Sequence, residues 1–144
     1  KTKIGGSIVK LPFVYVFERM DATTTFVGIN IPAEYIRRTL DAAVSLRSTV
    51  TGKFTMMTKV DRRQNQMLEI NVELKKGREV NRHTIGTIQR IIWEGLMKFS
   101  TEYNYLYGGA GTRYQRRLMP RIRLWEYQDP HFFSPGTKQK WVKK

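Results

Sequence analysis

An α+β domain is the expectation for these 144 residues, and three observations carry it. Residues 68 to 74 alternate at strand period, with Leu68, Ile70, Val72 and Leu74 set against Glu69, Asn71 and Glu73. Residues 33 to 46 and 81 to 103 instead space their apolar side chains as helices do. The order reads β-β-α-β-β-α-β, so two helices can cover one face of a small, mostly antiparallel sheet.

Residues 1 to 11 read as a linker entering from a preceding domain, and residues 12 to 144 as one domain. The run Phe13-Val14-Tyr15-Val16-Phe17 has the continuous apolar character of a strand covered on both sides. A polar link, Glu18-Arg19-Met20-Asp21-Ala22, leads to a second extended stretch at 23 to 31, where Gly28 implies a bulge or a close approach of backbone. Pro32 suits a helix start, and Ala33, Ile36, Leu40, Ala43 and Val44 extend the first helix to about Leu46. After Gly52, Phe54, Met56, Thr58 and Val60 alternate up to a polar turn at 61 to 66, and residues 68 to 74 return as the second arm of a hairpin with one buried and one wet face. Ile85, Ile88, Ile92, Leu96, Phe99 and Tyr103 line one stripe of a long second helix, which the glycines at 108, 109 and 111 must end. Residues 121 to 127 form a last strand, and Pro130 and Pro135 punctuate the loop beyond it.

The chain carries 26 Lys+Arg against 12 Asp+Glu, a formal net charge of +14. Nine basic and two acidic residues fall within 113 to 144, so half of the excess sits in the last 32 residues. Such a tail fits a polynucleotide, an anionic surface, small phosphates or a merely solvated exterior. With no cysteine, a disulfide scaffold, a zinc-thiolate site and a cysteine nucleophile are excluded. No run reaches the roughly 18 apolar residues that a membrane span needs, and the first residues lack the plan of a signal peptide. A cytoplasmic domain with no membrane contact is expected. His83 and His131 are isolated, so no metal site is expected, and Asp61, Glu69 and Glu73 read as a solvated face and not as an acid-base pair. The serines lack a nucleophile-elbow context.

Two segments carry more. The first runs from Glu18-Arg19-Met20-Asp21 to Gly28-Ile29-Asn30-Ile31-Pro32-Ala33-Glu34, and the second is Pro135-Gly136-Thr137-Lys138-Gln139-Lys140-Trp141-Val142. Together, from about Pro12 to Val142, they resemble the C-terminal domain of the adenylate-forming ligases, and in particular the phenylacetate-CoA ligase-like branch of the acyl-CoA synthetases. Arg19 and Asp21 match the family's Arg-x-Asp hinge, Gly28 and Asn30 its Gly-x-Asn loop, Glu34 its helix start, and Lys138 its terminal lysine. The sequence departs from the pattern at Glu18, where glycine is usual, at Ala22, which replaces a common second aspartate, and at Thr137, which separates Gly136 from Lys138. That last departure leaves Lys138 and Lys140 both open as the lysine, and the three together leave retained activity open.

The resemblance implies activation of a carboxylic acid by ATP to an acyl-adenylate, then thioester formation with coenzyme A. It implies Lys138 as the catalytic cation, Arg19 and Asp21 as the pivot between two poses, and Gly28 with Asn30 on the loop that CoA approaches. ATP and Mg2+ would be held mainly by a missing N-terminal adenylation domain, without which this chain would be inactive. The acid remains unspecified, because its pocket belongs to that domain. A different reading stays beside this one: a basic α+β nucleic-acid-binding module in which Arg113, Arg116, Arg117, Arg121 and Arg123 meet phosphates while Tyr114 and Trp125 stack on bases. A regulatory domain that keeps the fold without the chemistry is a third.

Overall fold

The computed structural model describes residues 22–136 and 138–143. The predicted linker at 1–11, the strand at 13–17, the hinge residues Arg19 and Asp21, and Thr137 lie outside the described residues.

The expected single strand at 23–31 is a hairpin of β1 (Thr23–Phe26) and β2 (Ile29–Pro32), in antiparallel register. Val27 and Gly28 form its two-residue turn with φ of 49° and 79°. Two consecutive positive φ values give the turn whose twist matches the strands, and a glycine supplies the second at no steric cost. Gly28 is therefore neither a bulge nor part of a continuous strand. Val27 is an uncommon residue for such a backbone; its N–H is held by Gln66 Oε1 at 2.6 Å.

Helix α1 (Ala33–Ala42) begins directly after Pro32, whose φ of −66° is the one a ring-locked residue adopts. It stops four residues short of the expected end, and residues Val44–Leu46 form a separate 3₁₀ turn. On its outer side Arg37 donates to Glu34 at 2.6 and 2.7 Å and to Asp41 at 2.8 Å. The hydrogen bond from Arg37 is the main cause that holds the Glu34 carboxyl below its ordinary range.

The hairpin of β3 (Val50–Val60) and β4 (Gln66–Leu74) appears as expected, with a register shift between Val50 and Phe54 where Gly52 takes a φ of 87°. The last strand, β5 (Arg121–Trp125), pairs with β4 in parallel, so this sheet is mixed, with order β3-β4-β5. Val142 adds an isolated parallel bridge to Met56 on the free side of β3. β4 is thereby the central strand.

The expected long second helix divides into α2 (Arg82–Phe99) and α3 (Thr101–Gly108), and α4 (Thr112–Leu118) follows. Ser100 causes the break: its N–H still closes the last turn of α2 on Leu96 O at 3.0 Å, while its hydroxyl accepts from Tyr103 N at 3.1 Å and caps α3. The glycine run does end α3, but Gly111 also starts α4. Four helices, not two, surround the sheets among the described residues.

Ile88, Ile92, Leu96 and Tyr103 of the predicted stripe are buried, against Leu68, Ile70, Val72 and Leu74 in one core that also takes Ile36, Leu40, Phe54, Met56, Ile122 and Leu124. Burial of each such side chain is worth roughly 1.5–3 kcal/mol. The opposite face of β4 is not wet as expected: Glu69, Asn71 and Glu73 are 6%, 0% and 0% exposed. Residues from 125 onward cover it, with Trp125 donating to Asn71 and the Gln128 amide to Glu73.

Helices α1 and α2 cross at Gly95, where a Cβ would collide with the side chain of Thr39. We expect Gly95→Ala to lower the unfolding free energy by about 1–3 kcal/mol in urea titration, despite alanine's better helix propensity, and Thr39→Ala to recover part of that loss. Tyr103 donates from its hydroxyl to Leu118 O at 2.8 Å, and burial drives its phenol pKa well above the ordinary value. A phenol raised in the folded state contributes stability below its unfolded pKa of about 10 and loses it as pH climbs above that value. Alkaline unfolding scans should therefore show a steeper decline above about pH 10 for the parent than for Tyr103→Phe.

Candidate functional site

After β5 the chain turns back across the polar face of the sheet. Glu73 anchors it: its Oε1 accepts from Gln128 N at 2.9 Å, its Oε2 accepts from the Thr51 hydroxyl at 2.7 Å, and Lys53 Nζ stands 3.9 Å away. Asn71 Oδ1 accepts from Trp125 Nε1 at 2.7 Å, and the indole packs on Phe132 with ring centres 4.5 Å apart. Glu69 meets Lys59 at 2.8 Å and Arg123 at 3.9 Å. Groups that would be costly to bury alone are thus each partnered.

Residues 138–143 then run along the free side of β3. Gln139 Nε2 donates to Phe54 O at 2.5 Å, the Thr55 hydroxyl donates to Lys140 O at 2.9 Å, and Met56 N donates to Trp141 O at 2.7 Å. The Trp141 ring stacks on Phe54 at 6.2 Å. Lys143 closes the segment onto the loop before it, donating from Nζ to His131 O at 3.0 Å with the ammonium 4.0 Å from the Phe132 ring centre.

Between this segment and the 130–134 loop lies a cavity of about 190 Å³. Lys53, Thr55, His131, Lys138, Lys140 and Lys143 contribute to its wall. Lys138 and Lys140 are exposed, and neither ammonium has a partner among the described residues. The arrangement concentrates cationic charge at a concave place while the backbone beneath it is tied to β3. An anion entering there would meet flexible ammonium groups on a fixed support. Lys138 and Lys140 both line this cavity.

Gly28 and Asn30 lie elsewhere. Open space surrounds Gly28, beside a depression of about 350 Å³ lined by Gln64, Gln66, Tyr114 and Arg117. Asn30 Oδ1 accepts from the Thr25 hydroxyl at 3.0 Å within the hairpin. Thr55 pairs with Asn71, which lies five residues along β4 from Gln66; at strand rise this separates the two places by about 16 Å. Lys138 and Lys140 are brought together, and Gly28 and Asn30 are not brought to them. Arg19 and Asp21 are outside the described residues.

Lys53, Thr55 and His131 were not singled out from the sequence as neighbours of Lys138, since only the return of the chain across β3 places them there. Trp125, expected as a base-stacking residue in the nucleic-acid reading, is engaged by Asn71 and Phe132. Among the described residues no group of three or more His, Asp or Glu is placed to hold a metal ion. No described helix is long and apolar enough to cross a membrane.

No protein-family model and no curated protein matches the chain. Among solved structures it is similar to a domain of phenylacetate-coenzyme A ligase from Bacteroides vulgatus, with 15% identity, a TM-score of 0.50, and coverage of 85% of this chain and 92% of that one. It also matches an acyl-CoA synthetase from Brucella canis at 14% identity and a TM-score of 0.46, over 85% of this chain and 18% of the other. At such identities the first likeness shows a shared fold.

The cavity depends on Glu73. Glu73→Ala would remove the shared acceptor of the half-buried Thr51 hydroxyl and the exposed Gln128 amide, two hydrogen bonds to a charged group worth about 1.5–3 kcal/mol each. The expected result is a lower unfolding midpoint, with amide exchange accelerating in residues 126–134 before it does in α2.

Proposed function

We propose that residues 12–144 are the mobile C-terminal domain of an ATP-dependent carboxylate-CoA ligase, with residues 1–11 linking them to an N-terminal adenylation domain, and that the enzyme works in the cytoplasm. The observation that carries this reading is Lys138 itself. The lysine singled out by the motif pattern stands exposed at a cation-lined cavity, with no partner for its ammonium among the described residues, on a segment tied to β3 on its C-terminal side. The shared fold supports the same reading.

Adenylation moves negative charge between a carboxylate and the α-phosphate of ATP. An ammonium held at that point stabilises the redistribution electrostatically, without giving up a proton. Lys138 would supply it, with Lys140 two residues further as the other candidate. Mg2+, bound to ATP by the adenylation domain, would neutralise phosphate charge there; no side chain of this domain is required for it. Arg19 and Asp21 would form the pivot, and Gly28 and Asn30 the edge that coenzyme A approaches. Separation of the Gly28 turn from Lys138 suits a domain that offers one edge and then another to the same partner by rotating at a hinge.

Two experiments test the reading. The gene upstream of Lys1 should encode several hundred further residues with a glycine-rich phosphate loop; a start codon at Lys1 would overturn it. In the joined protein, Lys138→Ala should depress acid-dependent ATP-pyrophosphate exchange by about 10²–10³-fold, while a preformed acyl-adenylate still reacts with coenzyme A. An undiminished exchange rate in Lys138→Ala, with loss in Lys140→Ala, would move the role to Lys140.

A further inference from the structure

A second basic cavity, of about 440 Å³, lies at the other end of the β3–β4 hairpin. Its charged lining is Arg63 from the hairpin turn, Arg116 and Arg117 from the last turn of α4, Arg121 at the head of β5, and Asp61. Four guanidinium groups thus face one carboxylate, and that carboxylate is already occupied. Asp61 Oδ1 accepts from Arg63 N at 2.7 Å and Asn65 N at 2.9 Å, and Oδ2 accepts from Asn65 Nδ2 at 2.9 Å. Those bonds, chiefly the one from the Asn65 side chain, hold its carboxyl below the ordinary range and show it serving the turn.

The arginines differ from the other cations of the sheet. Lys53, Lys59 and Arg123 each have Glu73 or Glu69 within 4 Å, whereas Arg63, Arg116 and Arg121 have no carboxylate partner among the described residues. Arg117 donates to Asn65 Oδ1 at 3.0 Å and stands near enough to Asp61 for its charge to help lower that carboxyl, but it forms no ion pair within 4 Å among the described residues. The floor is also fixed: Gln89 Nε2 donates to Pro120 O at 2.9 Å, directly before Arg121. Like charges gathered in a concave, braced place repel one another until an anion enters. Guanidinium forks match phosphate oxygens two at a time, and the volume lies in the range of small-molecule pockets.

We propose that this cavity binds the diphosphate or triphosphate group of a small organic phosphate. The site is separate from the Lys138 cavity, and the proposal does not rest on the ligase reading. Because Arg63 and Arg121 come from different elements, the ligand spans the hairpin turn and the head of β5.

Isothermal titration of the purified chain with inorganic pyrophosphate and triphosphate at about 0.15 M salt tests it, where general surface attraction is screened beyond about 8 Å. One saturable site is expected. Arg116→Gln with Arg121→Gln should weaken it by at least about tenfold, since charge-assisted bonds are lost. Lys75→Gln with Lys76→Gln, an equal change of charge on an exposed turn, should alter it by less than about twofold. Thermal unfolding of both double variants checks that each is folded. Absence of saturable binding, or equal loss in both pairs, overturns the proposal. So does binding of single-stranded RNA that strengthens with length and that triphosphate cannot displace, which would assign the surface to a polynucleotide.

Discussion

The C-terminal part of the described chain is arranged around a carboxylate that water does not reach. Glu73 is wholly buried, and a carboxylate deprived of hydration costs several kcal/mol unless donors replace the lost water. Thr51 and Gln128 supply those donors and Lys53 a nearby charge, so satisfaction of Glu73 and coverage of the polar sheet face are one event. Once Gln128 is fixed, Phe132 can pack on Trp125 and Lys143 can reach back to His131. The Lys138 cavity is the space left between these two returning segments.

This explains which parts were legible beforehand. The alternation from Leu68 to Leu74 identifies β4 and its apolar face, because side-chain direction in a strand is strictly periodic. It says nothing of what will cover the other face, and the cover here comes from more than fifty residues later in the chain. A row of Glu, Asn and Glu therefore reads as solvated until the donors from 51, 125 and 128 are placed. The β1–β2 turn was hidden for a different reason: Val27 is a strand-forming residue occupying a left-handed backbone, and the bond from its N–H to Gln66 is long-range. Ser100 did carry a local signal, a capping hydroxyl in mid-helix, but the continuous apolar stripe outweighed it.

The candidate site divides in the same way. Lys138 and Lys140 are visible in the sequence as members of a basic terminus, yet a terminal lysine is ordinary until its backbone is anchored. Gln139, the Lys140 carbonyl and Trp141 supply that anchoring through β3. The arginine cavity was half visible: Arg116, Arg117 and Arg121 are close in sequence, but Arg63 joins them only because the β3–β4 turn folds against α4.

The two cavities also change what the net charge of +14 means. Thr55 lines one and Asp61 the other, six residues apart on or just beyond β3, which is about 20 Å along the strand. Screening in physiological salt extends only about 8 Å, so neither cavity feels the other strongly and an anion at either would be held by that cavity's own contacts. Their chemistry is divided accordingly. Lysines line the first, suited to following charge that moves during a reaction, and arginines the second, suited to gripping planar oxygens in one orientation. A uniformly basic exterior would have served solubility with either residue; the segregation of lysine from arginine between two concave places is what argues for two anionic contacts with different duties.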